Sequence, residues 1–285
     1  MSKEPFIIKP VGTKKSDLVS AFPEMFVNPY ANVLLTAPTL GGKTTVVYNI
    51  LKKACNHLTD VYVFCPTHKN DTMWGEIKNM LEKKGCRVNM NIHFIDHDNN
   101  RSLVDEVIAG IDEKLEVDKP TNKPKPPSVQ QCSFIKFDNN PKVDEIIEEP
   151  KIIKVKEKTK NLYPEHVFIY DDLSSDLTKH HILLRCMTAN RHRKIMNIVC
   201  AHSLNDIEPN AWTQCHYALF FPRLSFEKML KNQDKMGMDS EDSTTKNNKL
   251  LHKYVEATKN GKSKYDFLLV DKTTDKFYRN FNQEI

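Results

Sequence analysis

The chain has 285 residues, 39% of them hydrophobic and 28% charged, which suits one large domain with a sizeable core. No apolar run approaches the ~18 residues of a membrane-spanning helix, and Met1 to Phe6 lack the apolar stretch of a secretory signal, so neither an integral membrane protein nor a secreted one is expected. The 42 basic and 37 acidic side chains leave a net charge of +5, which permits a nucleic-acid partner without arguing for one; seven cysteines with no C-x-x-C spacing point to reduced thiols in an intracellular compartment.

Residues 1–29 read as an N-terminal extension and residues 30–285 as one domain. Asn32 to Pro38 is a short buried strand running into a loop, and there Gly41 and Gly42 adjoin in a chain with only 8 glycines. The spacing of Val46, Val47, Ile50, Leu51 and Ala54 predicts a helix from Lys43 to His57. Val61 to Cys65 is strand-like and ends at Pro66. Thr72 to Lys84 reads as a helix, Asn91 to Ile95 as a third strand and Arg101 to Leu115 as a third helix. Strands alternating with helices of this length predict an α/β fold, a mainly parallel sheet with helices on both faces. The alternation breaks over residues 118–160, where Pro124, Pro126 and Pro127 lie among many Lys and Glu; this insertion can bury little surface. It resumes with a strand at Val167 to Tyr170, a helix from Leu177 to Ala189 and a strand from Ile195 to Ala201. Tyr217 to Phe221 is a further apolar stretch and residues 231–249 form a polar loop. Tyr265 to Val270 and Lys276 to Tyr278 read as a terminal hairpin about Thr273 and Thr274.

The first chemistry-bearing motif is Ala37-Pro38-Thr39-Leu40-Gly41-Gly42-Lys43-Thr44, which fits G-x-x-x-x-G-K-[ST] with Ala at the first position. A triphosphate needs several backbone N–H donors converging on it, and so a tight loop without bulky side chains. Gly41 and Gly42 allow that approach, while the following helix offers its N-terminal amides. Lys43 would reach the β- and γ-phosphates of ATP, Thr44 would ligate Mg²⁺, and Thr45 is a further phosphate contact. Pro38, Thr39 and Leu40 complete the cradle. A chance G-G-K-T would lack the apolar strand before it and the amphipathic helix after it.

The strand at His166 to Tyr170 ends in Asp171 and Asp172. Asp171 would hold Mg²⁺ through its water shell, and Asp172 would be the general base for the attacking water. Taken alone, Asp172 or Ser174 serves equally well as the cap of the next helix. Downstream, Arg191 and Arg193 stand in a basic segment before a strand that ends in His202. In a parallel nucleotide-binding sheet the carboxyl ends of the strands face the ligand, so His202 could sense the γ-phosphate or the water. Arg191 or Arg193 could neutralise transition-state charge, in its own subunit or across an interface; a solvated turn is the plainer reading. The Cys and His residues between Cys186 and His216 match no zinc-site spacing.

Together, Leu35 to Thr44, Phe168 to Leu173, Asn190 to Arg193 and Cys200 to Ser203 resemble the genome-packaging ATPases of the FtsK–HerA superfamily, in the branch of large eukaryotic DNA viruses and their virophages. The similarity runs from about residue 30 to 222, and Phe267 to Asp271 is similar to that family's closing strand. It implies a RecA-like P-loop NTPase core in which the strand ending at His202 lies between the loop strand and the acidic strand. It also implies a homo-oligomeric ring, usually hexameric, that pumps double-stranded DNA into a capsid and so meets capsid proteins. Such a motor would act in the host-cell cytoplasm, at the viral factory, or with the virion. Many superfamily members carry Glu where this chain has Asp172 and Gln where it has His202.

Three other functions use the same motifs. A helicase or replication ATPase would share the core. A P-loop nucleotide kinase would need an acceptor pocket and an arginine-bearing lid, and residues 231–249 contain no arginine. A non-enzymatic interaction protein would have little reason to keep Lys43, Thr44, Asp171 and Asp172 together. For DNA contact, the Lys-rich residues 151–160 and the polar residues 231–249 are the candidates.

Overall fold

A computed structural model describes residues 19–91, 95–96, 101–117, 161–179, 181–225, 227, 229, 249–259, 263 and 265–285. The insertion at 118–160 and all of the 231–249 loop but its last residue lie outside the described residues, and with them both candidate DNA-contact segments.

The chain begins with β1 (Val19–Ser20), β2 (Asn32–Thr36), α1 (Lys43–Ala54), β3 (Asp60–Phe64) and α2 (Thr72–Lys83). There follow β4 (Arg87–Asn91), β5 (Ile95–Asp96), β6 (Arg101–Ser102), α3 (Leu103–Val117) and β7 (Asn161–Leu162). The third stretch has β8 (His166–Asp171), α4 (Ser174–Lys179), α5 (Ile182–Thr188), β9 (Ile195–Ala201) and α6 (Pro209–Thr213). It closes with β10 (Tyr217–Phe220), α7 (Lys249–Thr258), β11 (Leu268–Asp271), β12 (Lys276–Arg279) and β13 (Gln283–Glu284).

Nine strands form one sheet in the order β13-β12-β11-β10-β2-β9-β8-β3-β4. The six from β10 to β4 are parallel, and β11 to β13 extend the sheet antiparallel beyond β10. The central strands are buried on both faces, which is why they read as continuous apolar runs. Alternate residues feed two cores. Val33, Leu35, Val61, Val63, Val167 and Ile169 pack with α1 and α2. Leu34, Phe64, Phe168, Tyr170 and Val199 pack with α3, α5 and α7 on the other face. This is the mainly parallel sheet with helices on both faces that the sequence predicts. Phe22 and Phe26, in the segment read as an extension, are buried in the α1–α2 layer, with Phe26 4.7 Å from the Tyr217 ring.

Two elements depart from the sequence reading. The strand placed at 91–95 lies instead at Arg87–Asn91, on the sheet edge. Only Val88 and Met90 are apolar there, and Arg87 spends its guanidinium on Asp60, with bonds of 2.5 and 2.8 Å. The helix read from 177 to 189 is two helices, α4 and α5. Leu177 and Ile182 both face the core but are five residues apart, a step that a continuous 3.6-residue repeat does not make. All six described cysteines are free and buried, as reduced thiols should be.

Candidate active site

β2 delivers the loop. Its last residue, Thr36, is followed by Ala37, whose N–H donates to Ala201 O at 3.1 Å and so ties the loop's entry to the end of β9. The loop then turns on itself through Gly41 N–H to Pro38 O, at 3.0 Å. Leu40 and Gly42 both take left-handed backbone, at φ 60 and 94. Gly41 is dictated by space: a Cβ there would lie 2.8 Å from Pro38 O and 2.9 Å from the Ala37 Cβ.

α1 starts at Lys43 directly after Gly42, with no side chain capping it and no acid in its first turn. Its first amides are therefore left for a ligand. They open into a pocket of about 730 Å³ lined by every residue from Pro38 to Val46, together with Asp171, Asp172 and His202. That volume lies within the range of small-molecule sites.

β8 and β9 bring the other groups because their carboxyl ends point the same way as that of β2. Lys43 is buried, and its Nζ donates to Ala37 O at 3.3 Å and lies 3.1 Å from His202 Nδ1. The same Nδ1 lies 3.2 Å from Ala37 O, so a donor and an acceptor share that nitrogen, while Nε2 lies 3.4 Å from Asp172 Oδ1. Thr67 Oγ1 donates to the other oxygen of Asp172 at 3.2 Å. Asp171 is only 4% exposed; its Oδ2 faces the Cys65 thiol at 3.9 Å, and its buried Oδ1 has no hydrogen-bond partner among the described residues. Burial and then the neighbouring Asp172 push the Asp171 carboxyl up to about 6, against the pull of Lys43 and His202. Among the described residues no cluster of three His, Cys, Asp or Glu side chains could hold a metal ion by itself.

The arginines fall elsewhere. Arg191 and Arg193 precede β9, at the amino ends of the parallel strands, and neither lines the pocket. β9 is seven residues long, a rise of about 20 Å, so within one chain both arginines stand about a strand's length from the loop. Arg193 is in a bidentate ion pair with Asp112, at 2.7 and 2.8 Å, while Arg191 is exposed.

Four lining residues were not singled out in the sequence. Asp71 caps α2 through Met73 N–H at 2.8 Å, and Met73 lies beside it. Phe221 lies just past β10, buried and stacked on Phe267 with centroids 5.1 Å apart. Tyr265, 54% exposed, stands over the loop: a Cβ on Gly42 would lie 3.8 Å from its ring. An exposed aromatic just before the closing strand was the available signal.

A glycine loop between β2 and α1, with β9 between β2 and β8, defines a P-loop NTPase fold of the α/β class. The chain is similar in fold to the DNA-packaging ATPase B204 of Sulfolobus Turreted Icosahedral Virus, with a TM-score of 0.52 and 12% identity over 90% of this chain and 98% of that one. B204 of Sulfolobus turreted icosahedral virus 2 also matches, in its complex with AMP (TM-score 0.48, 13% identity, 90% of this chain and 98% of that one) and with ATP-gammaS (0.48, 13%, 90% and 99%). No protein-family model matches the chain, and no curated protein sequence does. At this identity the likeness is one of fold.

Proposed function

We propose that the protein is an ATP-hydrolysing motor that translocates double-stranded viral DNA into a capsid. The observation that carries the hydrolytic part is the meeting of Lys43, Thr44, Asp171, Asp172 and His202 in one pocket from three strand ends. The loop and the first amides of α1 bind the phosphates, and Thr45 adds a contact at the helix start. A phosphate entering the pocket takes Lys43 from Ala37 and His202, so its charge moves to where the transition state needs it. Tyr265, exposed and lining the pocket, offers its ring to the base.

Mg²⁺ fits the donors present. The Thr44 hydroxyl and the Asp171 carboxylate both line the pocket and are hard oxygen donors; Thr44 would ligate the ion and Asp171 would hold it through its water shell, as suits an ion that keeps several waters. When bound it would neutralise charge developing on the phosphate oxygens. Asp172, more exposed than Asp171, is placed to take the proton of the attacking water.

The DNA-packaging part rests on the fold shared with B204, whose activity its name states, and on the motif resemblance. In this reading the chain works in the host cell as a homo-oligomeric ring, hexameric as in its resemblance family, alongside capsid proteins. Any arginine completing the pocket then comes from a neighbouring subunit, and exposed Arg191 is better suited than Arg193, which Asp112 holds. No helix among the described residues is long and apolar enough to cross a membrane.

The test is steady-state ATP hydrolysis by the full chain. Lys43→Ala should abolish it, and Asp172→Asn should slow it at least ~100-fold while Mg-ATP still binds. Wild-type turnover in Asp172→Asn would leave Asp172 as a helix cap.

A further inference from the structure

Asp172 meets a polar side chain on each side, and from one of them it accepts a hydrogen bond. β8 lies between β9 and β3, with Asp171 opposite Cys200 and Tyr170 opposite Phe64. Just beyond that register His202 follows β9 on one side, and the chain after β3 turns at Pro66 to bring Thr67 round on the other. Thr67 Oγ1 lies 3.2 Å from Asp172 Oδ2, and His202 Nε2 lies 3.4 Å from Oδ1. A carboxylate only accepts, so the Thr67 proton is committed to Asp172. The Thr67 oxygen is then left to accept from the Cys65 thiol, 3.3 Å away.

Asp172 needs this restraint. Its backbone is left-handed at φ 55, which aims the side chain off the strand line, and the side chain is 36% exposed. One hydrogen bond on a carboxylate with about four lone-pair sites leaves room for a water.

We propose that Thr67 is a positioning residue for hydrolysis, its hydroxyl fixing the Asp172 carboxylate where it can take the proton of the attacking water. In that step a water O–H bond breaks and the proton goes to Asp172. The water oxygen bonds to the γ-phosphorus, and the bond from that phosphorus to the bridging oxygen breaks, with ADP leaving. The inference rests on the reading of Asp172 as the base.

The experiment is ATP turnover by full-length wild type, Thr67→Val, Thr67→Ser, Asp172→Asn and the Thr67→Val/Asp172→Asn double variant. Valine keeps the shape of the side chain, and position 67 is exposed, so the fold is not at stake. Thr67→Val should lower kcat roughly ten-fold or more with the KM for ATP unchanged, as loss of a hydrogen bond to a charged group made in the transition state would. Thr67→Ser should restore turnover. In the Asp172→Asn background Thr67→Val should cost nothing further, because the two act as one unit. Wild-type or faster turnover in Thr67→Val, or an undiminished further loss in the double variant, would overturn the proposal. A fully active Asp172→Asn would overturn the base reading itself, a result separate from any seen at Thr67.

Discussion

Replacing Asp171 by Asn should remove a loss of stability that the nucleotide-free protein suffers between acid and neutral pH. Asp171 is almost wholly buried with one oxygen unpartnered, and burial with the Asp172 charge lifts its carboxyl from 3.8 to about 6. Between those values the folded chain keeps a proton that the unfolded chain has released. Stability therefore falls as pH rises through that window and does not recover above it. Between about pH 4 and about pH 7.5 the wild type should lose about 2 kcal/mol through this one group. Asn cannot ionise, and any cost of its unpaired amide, about 1–3 kcal/mol, is the same at every pH. The stability of Asp171→Asn relative to wild type should therefore rise by about 2 kcal/mol across that range, or about 4–8 °C in Tm for a chain of this size. The assay is thermal or urea unfolding of both proteins in EDTA, without nucleotide, at the two pH values. A difference that stays constant, or shrinks as pH rises, would refute the argument that this carboxylate is held ionised at a cost to stability. The same variant should lose Mg-dependent hydrolysis.

Two further outcomes concern the loop and the base. Gly41→Ala forces a Cβ to within 2.8 Å of Pro38 O, so the loop must shift and ATP affinity should drop at least ~10-fold; titration with a fluorescent ATP analogue checks this, and unchanged affinity contradicts it. Tyr265→Ala should weaken ATP binding by about 0.5–1.5 kcal/mol while leaving tripolyphosphate binding alone, because only the base would meet the ring. Calorimetry with both ligands checks it, and equal losses for the two would show that Tyr265 acts on the loop instead.

What could be read from the sequence was local. Leu34 and Leu35 announce β2, Gly41 and Gly42 the loop, and Val47, Ile50 and Leu51 the buried stripe of α1, all within twenty residues of Asn32. The apolar run ending in Asp171 and Asp172 is equally contiguous. Thr67 was invisible because it meets Asp172 through the pairing of β3 with β8, across a hundred residues of chain. Tyr265 and Phe221 reach the loop by way of β10 and the hairpin that pairs with it, which no local pattern encodes. The placement of the basic cluster was hidden for the opposite reason. Arg191 and Arg193 carry the right charge near a strand that ends at the site, but they sit at that strand's start, and Arg193 is matched to Asp112 on α3. Polarity concealed β4, whose edge position asks for few apolar side chains.

The central claim, a motor driven by ATP on double-stranded DNA, is tested most directly by the ATP turnover of the assembled full-length chain with Mg²⁺, with and without linear duplexes of unrelated sequence, at low and high salt. A packaging motor grips phosphates rather than bases, so turnover should rise with any duplex, and the rise should fade as salt increases and counterion release is lost. Turnover that ignores DNA at low salt, yet accelerates when a nucleoside acceptor is supplied, would contradict the account and identify a kinase.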